Sequence, residues 1–129
     1  MGKYLLLGAS SDLCSTFMAQ HEWKENDEII AQYCHSRDRL EQLKKAISAK
    51  MELWQADFSD EASTAAFAGE LKATNVVPTH VLHVPAVPIE NMRFTEINWA
   101  DVEKQLHVQC RSLWTVLQAV IRGMAKAKQ

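Results

Sequence analysis

The stretch "LGASSDLCS" ends an apolar run in Gly8 and passes through Ser10, Ser11 and Asp12 into a helix-like pattern. That combination can hold a phosphate. Unpaired N–H groups at a helix N-terminus point outward, the helix dipole favours anions, and glycine permits the tight turn. Ser10 and Ser11 add hydroxyls. Asp12 caps a helix well but repels a phosphate that it faces. Cys14 stands where a smaller residue would let helix and strand pack closely. Taken alone, the same residues also read as an ordinary helix cap, and both readings stay open. Other reactive side chains read more plainly. His80, His83 and His107 stand at no metal-ligand spacing, so no metal site is expected. Cys14 near a helix start could have an acidified thiol, but without a paired histidine it reads as a packed cysteine. Trp99 and Trp114 lack interleaved basic residues and read as packing residues rather than a base-stacking platform.

These residues need a scaffold, and composition bounds it. The 129 residues suffice for one domain, 1–129, with a real core. Hydrophobic residues make up 47% and charged residues 23%, with a net charge of -2. That balance argues against a dedicated nucleic-acid binder, which would show a basic face. The three cysteines, Cys14, Cys34 and Cys110, form neither a CxxC pair nor a disulfide framework, which suits a reduced, cytoplasmic protein. The apolar run Tyr4 to Leu7 is too short for a signal peptide core or a membrane span, so no membrane partner is expected.

Strand and helix patterns alternate along the chain. "KYLLL", "NDEIIAQYC", "MELWQADFS" and "THVLHVPAVP" read as strands, the last stopped by Pro85 and Pro88. "SDLCSTFMAQHEW" reads as a helix whose apolar residues are Leu13, Phe17 and Met18. "SRDRLEQLKKAI" presents Leu40, Leu43 and Ile47 on one face, with Ser36 or Asp38 near its start. "DEASTAAFAGELKA" is a third helix, and "WADVEKQLHVQCRSLWTVLQAVIRGM" a long fourth. Four such alternations imply an α/β fold: an open parallel sheet of about four strands, with helices on both faces and right-handed crossovers. Ligands of such sheets sit at the carboxyl ends of the strands, where the opening turn lies.

In this order and spacing, the whole chain resembles the N-terminal half of the short-chain dehydrogenase/reductase family. "LGASSDLC" resembles the family's TGxxxGxG turn, keeping the first glycine at Gly8 and replacing the others by Asp12 and Cys14. "QADFSD" resembles the stretch whose aspartate contacts adenine, which makes Asp57 that residue. "VLHVPAVP" resembles the strand ending in NNAG, with His83, Val84, Pro85 and Ala86 in its place. "NWADVEKQLHVQC" and "LQAVIRGM" resemble the long helix, with Gln109 at the family's structural asparagine. The resemblance implies a Rossmann-like sheet of order 3-2-1-4. It also implies a dinucleotide site at Gly8, Ser10, Ser11, His35, Ser36, Arg37, Asp57, Pro85 and Ala86. At His35, Ser36 and Arg37, where the family sorts the adenosine ribose, basic groups and no acid suit a 2′-phosphate, hence NADP over NAD. A solvated loop is the plainer reading of the same three residues, and a helix cap that of Asp57.

No catalytic residue carries over. The family's serine and Tyr-x-x-x-Lys lie beyond the long helix. The two tyrosines, Tyr4 and Tyr33, are in expected strands, and Arg37 rather than lysine follows Tyr33 by four places. The expectation is a truncated cofactor-binding half, catalytically incomplete alone. The alternative is a Rossmann-like interaction module that has lost its cofactor. Either way, the fourth-strand edge and the long helix are expected to recruit a second copy or another protein.

Overall fold

The computed structural model describes residues 2–9, 11–35, 37–84 and 97–127. Strands β1 (Lys3–Leu7), β2 (Glu28–Tyr33), β3 (Lys50–Gln55) and β4 (His80–His83) pair in parallel in the order β3-β2-β1-β4. The expected order 3-2-1-4 is therefore borne out, with β4 at one edge. Helices α1 (Asp12–Gln20), α2 (Asp38–Ala46) and α3 (Glu61–Ala73) fill the crossovers. After β4 come α4 (Trp99–Leu106), a π-helical turn (His107–Arg111) and α5 (Ser112–Lys126).

The apolar run of β1 is explained by helices on both faces. Leu5 and Leu7 pack with Ile30, Phe67, Leu71, Val116 and Val120, so α3 and α5 cover that face. Leu6 packs with Ile29, Ala31, Cys14, Met18 and Leu40, so α1 and α2 cover the other. Each fully buried Leu contributes roughly 1.5–3 kcal/mol of apolar transfer energy. A polar substitution at Leu5 would break the first layer.

Three helices start on side-chain caps. Ser11 accepts from the Cys14 amide at 3.2 Å and Asp60 from the Ser63 amide at 3.2 Å. Asn98 and Asp101 form a reciprocal capping box. The Ser11 cap sets the phase of α1, and the apolar face expected there needs correction. Cys14 and Met18, one turn apart, are fully buried, whereas Leu13 is 68% exposed. Helix α2 starts at Arg37 without a side-chain cap, and Asp38 lies in its first turn.

The long C-terminal helix is not uniform. The Ser112 amide reaches back five residues to the His107 carbonyl, the signature of a π turn. Beyond it Val116 and Val120 continue the buried line of Val108 and Ser112. Before it, α4 buries nothing. Trp99 and Trp114, expected as packing residues, are 67% and 66% exposed and lie on the helix side away from that buried line, so they do not pack into this chain's core. Among the described residues, no helix is long and apolar enough to cross a membrane.

Candidate functional site at the carboxyl edge of the sheet

The carboxyl ends of β1, β2 and β3 bring three sequence-selected regions to one edge. Gly8 follows β1 in the left-handed region, with φ of 76°. A side chain would be strained there, so this is a turn that needs its glycine. The Ser11 amide bonds back to the Gly8 carbonyl at 3.1 Å and closes the turn. The Ser11 side chain is committed as the cap of α1, and the Cys14 amide is taken by it. Asp12 and Leu13 are the first two helical residues, whose amides have no partner within the helix. Cys14 is fully buried, and burial pushes its thiol up to about 12. It packs beneath the turn, in the layer with Met18 and Leu40, and does not project toward a ligand.

After β2, His35 is exposed and its Nε2 lies 3.3 Å from Cys34 Sγ. Burial first, then the negative charge of Asp57, raises the Cys34 thiol above its ordinary range. Arg37 caps no helix dipole but is held in place. Its Nε donates to Glu41 Oε1 at 2.7 Å, and Nη1 donates to the Tyr33 hydroxyl at 2.9 Å. The pair with Glu41 is half-exposed and therefore worth little in stability. Its consequence is orientation: the guanidinium stays beside the end of β2.

After β3, Asp57 accepts from the Ser59 hydroxyl at 2.6 Å and the Ser59 amide at 3.0 Å. The Ser59 hydroxyl, with its amide and the charges of His35 and Lys104, holds the Asp57 carboxyl below the usual range against partial burial. The reading of Asp57 as the cap of the third helix is corrected, because Asp60 holds that role. Asp57 instead organises a turn, and one of its carboxylate oxygens, Oδ1, takes both Ser59 bonds.

Beyond β4, Val84 donates to the Leu7 carbonyl at 3.0 Å. His83 is joined to Ser112 of α5 at 2.8 Å. Gln109 is exposed and bonds to Gln105, so it does not reach inward from the helix. Ser10, Ser36, Pro85 and Ala86 lie outside the described residues. Among the described residues, no group of three His, Cys, Asp or Glu side chains is arranged to hold a metal ion.

Sequence reasoning missed three residues of this edge. Gln32 lies under it, fully buried at the end of β2. Cys34 lies between His35 and Asp57, and Lys104 of α4 sends its charge to Cys34 and Asp57. A signal for Gln32 exists: it is a polar residue inside the apolar run "EIIAQY". Together the edge offers a glycine turn, a fixed guanidinium, an imidazole and an ionised carboxylate. That set can hold an extended anionic ligand carrying a hydrogen-bonding ring.

Comparison with known proteins agrees with this geometry. The family model described as enoyl-(acyl carrier protein) reductase matches residues 15–129. Among solved structures, a metagenomic short-chain oxidoreductase in complex with NADP is similar, with a TM-score of 0.81 and 16% identity. The match covers 99% of this chain and 58% of that one. A short-chain dehydrogenase/reductase from Serratia marcescens has a TM-score of 0.77 and 19% identity, over 95% of this chain and 51% of that one. Serine dehydrogenase from Escherichia coli has a TM-score of 0.70 and 18% identity, over 97% and 56%. The chain thus spans little more than half the length of these structures. Comparison with curated proteins returns no match.

Proposed function

We propose, from the premise that this chain belongs to the short-chain dehydrogenase/reductase family, that its carboxyl edge binds a nicotinamide dinucleotide as the cofactor-binding half of an oxidoreductase. The observation that carries this reading is the convergence of the Gly8 turn, the Arg37 guanidinium and the Asp57 carboxylate at one edge. Gly8 and the first amides of α1 would receive the pyrophosphate. Arg37, His35 and Ser36 would receive a 2′-phosphate, which favours NADP(H) over NAD(H). Asp57 would accept from the adenine amino group, and Pro85 and Ala86 would line the passage toward the nicotinamide.

The residues present fit such a cofactor, with one cost. Cys14 replaces a glycine, but its side chain is packed inward and leaves the approach to the turn clear. Asp12 is the first residue of α1, and a carboxylate in the turn that receives the phosphates would weaken their binding. The bound cofactor supplies hydride transfer; this chain's residues bind and orient it. Tyr4 and Tyr33 are not followed by lysine at the fourth position, so the 129 residues alone are expected to bind without turnover. A cytoplasmic setting suits the three free cysteines.

A second reading is favoured by one observation. Trp99, Leu106, Trp114 and Ile121 of α4 and α5 are all substantially exposed. Large apolar side chains exposed along one helical segment mark a protein interface. A second copy covering this stripe and the β4 edge would form a homodimer. The same stripe would serve an interaction module without cofactor.

Titration of NADPH and NADH against the chain, read by cofactor fluorescence, tests the first reading. NADPH is expected to bind more tightly. No response to either nucleotide would leave only the interaction module.

A further inference from the structure

Gln32 is the one polar side chain of β2 that is fully buried, at 2% exposure. Its Oε1 accepts from the Gly8 amide at 2.7 Å, and its Nε2 donates to the Ala56 carbonyl at 2.7 Å. The two partners fix the carboxamide's orientation without ambiguity. One is only a donor and the other only an acceptor, so a flipped amide would fail at both. Backbone bonds run beside it. The Ala9 amide donates to the Gln32 carbonyl at 2.9 Å, and the Ala56 amide to the Tyr33 carbonyl at 2.9 Å. Gly8 and Ala56 begin the two loops of the candidate site, the glycine turn and the loop that carries Asp57.

We propose that Gln32 is a positioning residue that locks the Gly8 turn to the Ala56–Asp57 loop, so that the two walls of the dinucleotide site hold one geometry. The inference deepens the cofactor-binding reading and rests on it for its functional consequence. The physical need is clear at each end. Gly8 has left-handed backbone, and its part-buried amide is held by the Gln32 carboxamide oxygen. The Ala56 residue is 2% exposed, so its carbonyl loses its partner if Gln32 is removed. At neutral pH, where glutamate is ionised and only accepts, no other natural side chain of this length presents both a donor and an acceptor, so the lock requires glutamine there. Because the turn lacks the second and third glycines of the family pattern, its shape depends on this support from below.

The lock is tested by amide hydrogen exchange in the chain without ligand, together with an NADPH titration. Gln32→Met keeps the volume and removes both bonds. It is expected to lower the protection of the Gly8 amide about tenfold, the scale of one lost hydrogen bond, while Leu5 and Ile30 stay protected. Gln32→Glu separates positioning from packing. As a carboxylate it cannot donate to Ala56; as a neutral acid it can do both. Because the carboxylate still accepts from the Gly8 amide, Gly8 protection should persist in Gln32→Glu, whereas its NADPH affinity, relative to the unaltered chain at the same pH, should recover as pH falls and that of Gln32→Met should not. NADPH affinity is expected to fall about tenfold in Gln32→Met. Unchanged Gly8 protection in Gln32→Met, or parallel pH profiles of NADPH affinity for the two variants, would overturn the lock. Lost protection with unchanged NADPH affinity would overturn its role in the site. If the unaltered chain responds to no nucleotide, the cofactor reading fails and the functional half of the proposal with it, while the exchange data still judge the lock.

Discussion

The His83 Nε2 atom lies 2.8 Å from Ser112 Oγ, and the Ser112 hydroxyl in turn donates to the Val108 carbonyl. With its proton given to Val108, Ser112 can only accept from His83, so His83 carries its proton on Nε2. The contact joins the end of β4 to the start of α5 at a fully buried serine. It also spans the π turn, because Val108 is inside that turn and Ser112 follows it.

Burial lowers the His83 pKa below its ordinary value of 6.5. The unfolded chain then binds a proton more readily than the folded one. Stability from this group is full above pH 6.5 and is lost as pH falls through the lowered folded value. His83→Gln, which still donates, should flatten that acid-side decline, measured as urea midpoints between neutral and mildly acidic pH. An unchanged slope would show that His83 is not the group responsible. Ser112→Ala leaves the imidazole donor unpaired and should cost about 1–3 kcal/mol at neutral pH.

Arg37 is held by Tyr33 and Glu41 at the end of β2. If it receives a 2′-phosphate, Arg37→Ala should narrow the preference for NADPH over NADH by about 1–2 kcal/mol, the scale of one charge-assisted hydrogen bond. The measurement is a pair of dissociation constants for each protein. Equal affinities for the two nucleotides in the unaltered chain would remove the basis for NADP selectivity.

The Gly8 turn separates two effects that sequence alone merges. Asp12→Gly removes a negative charge from the first turn of α1 and should tighten NADPH binding. Cys14→Gly removes a buried side chain and adds helix-interior glycine, so it should destabilise by about 2 kcal/mol without improving affinity. The thiols offer a simple check. Cys110 is exposed and should react first with a disulfide reagent, whereas buried Cys14 should react only on unfolding. Fast labelling of Cys14 in the folded chain would contradict the packing described.

Strand and helix placement and the positions of Gly8, Arg37 and Asp57 were legible because apolar runs and loop residues are local signals, whereas the strand order came from the family resemblance. Other features depend on distant partners. Gln32 bonds to Gly8 and Ala56, each 24 residues away, and no pattern within β2 announces that. The α1 face shifted from Leu13 to Cys14 because the Ser11 cap decides the helical phase. The π turn escaped notice because its apolar spacing matches that of a continuous helix. The tryptophans read as packing residues, but their exposure was not legible, because composition cannot say which face of a helix lacks a cover.

The exposed stripe should make the chain self-associate. Sedimentation equilibrium at micromolar concentration is expected to show a dimer, and Trp114→Glu should return the monomer with its helical content intact. A single 14.6 kDa species throughout would remove the second-copy proposal.

Dinucleotide binding at the carboxyl edge is tested most directly by mapping NADPH onto the backbone amides of the isotope-labelled chain. With an acidic residue at the first position of α1, a dissociation constant on the order of millimolar is expected, near -4 kcal/mol of binding free energy. Saturable shifts should appear at Gly8, His35, Arg37 and Asp57 and be smaller with NADH. Saturable shifts confined to the amino-terminal edge around Tyr4 and His80, or no shifts at millimolar NADPH, would contradict a cofactor site at this edge.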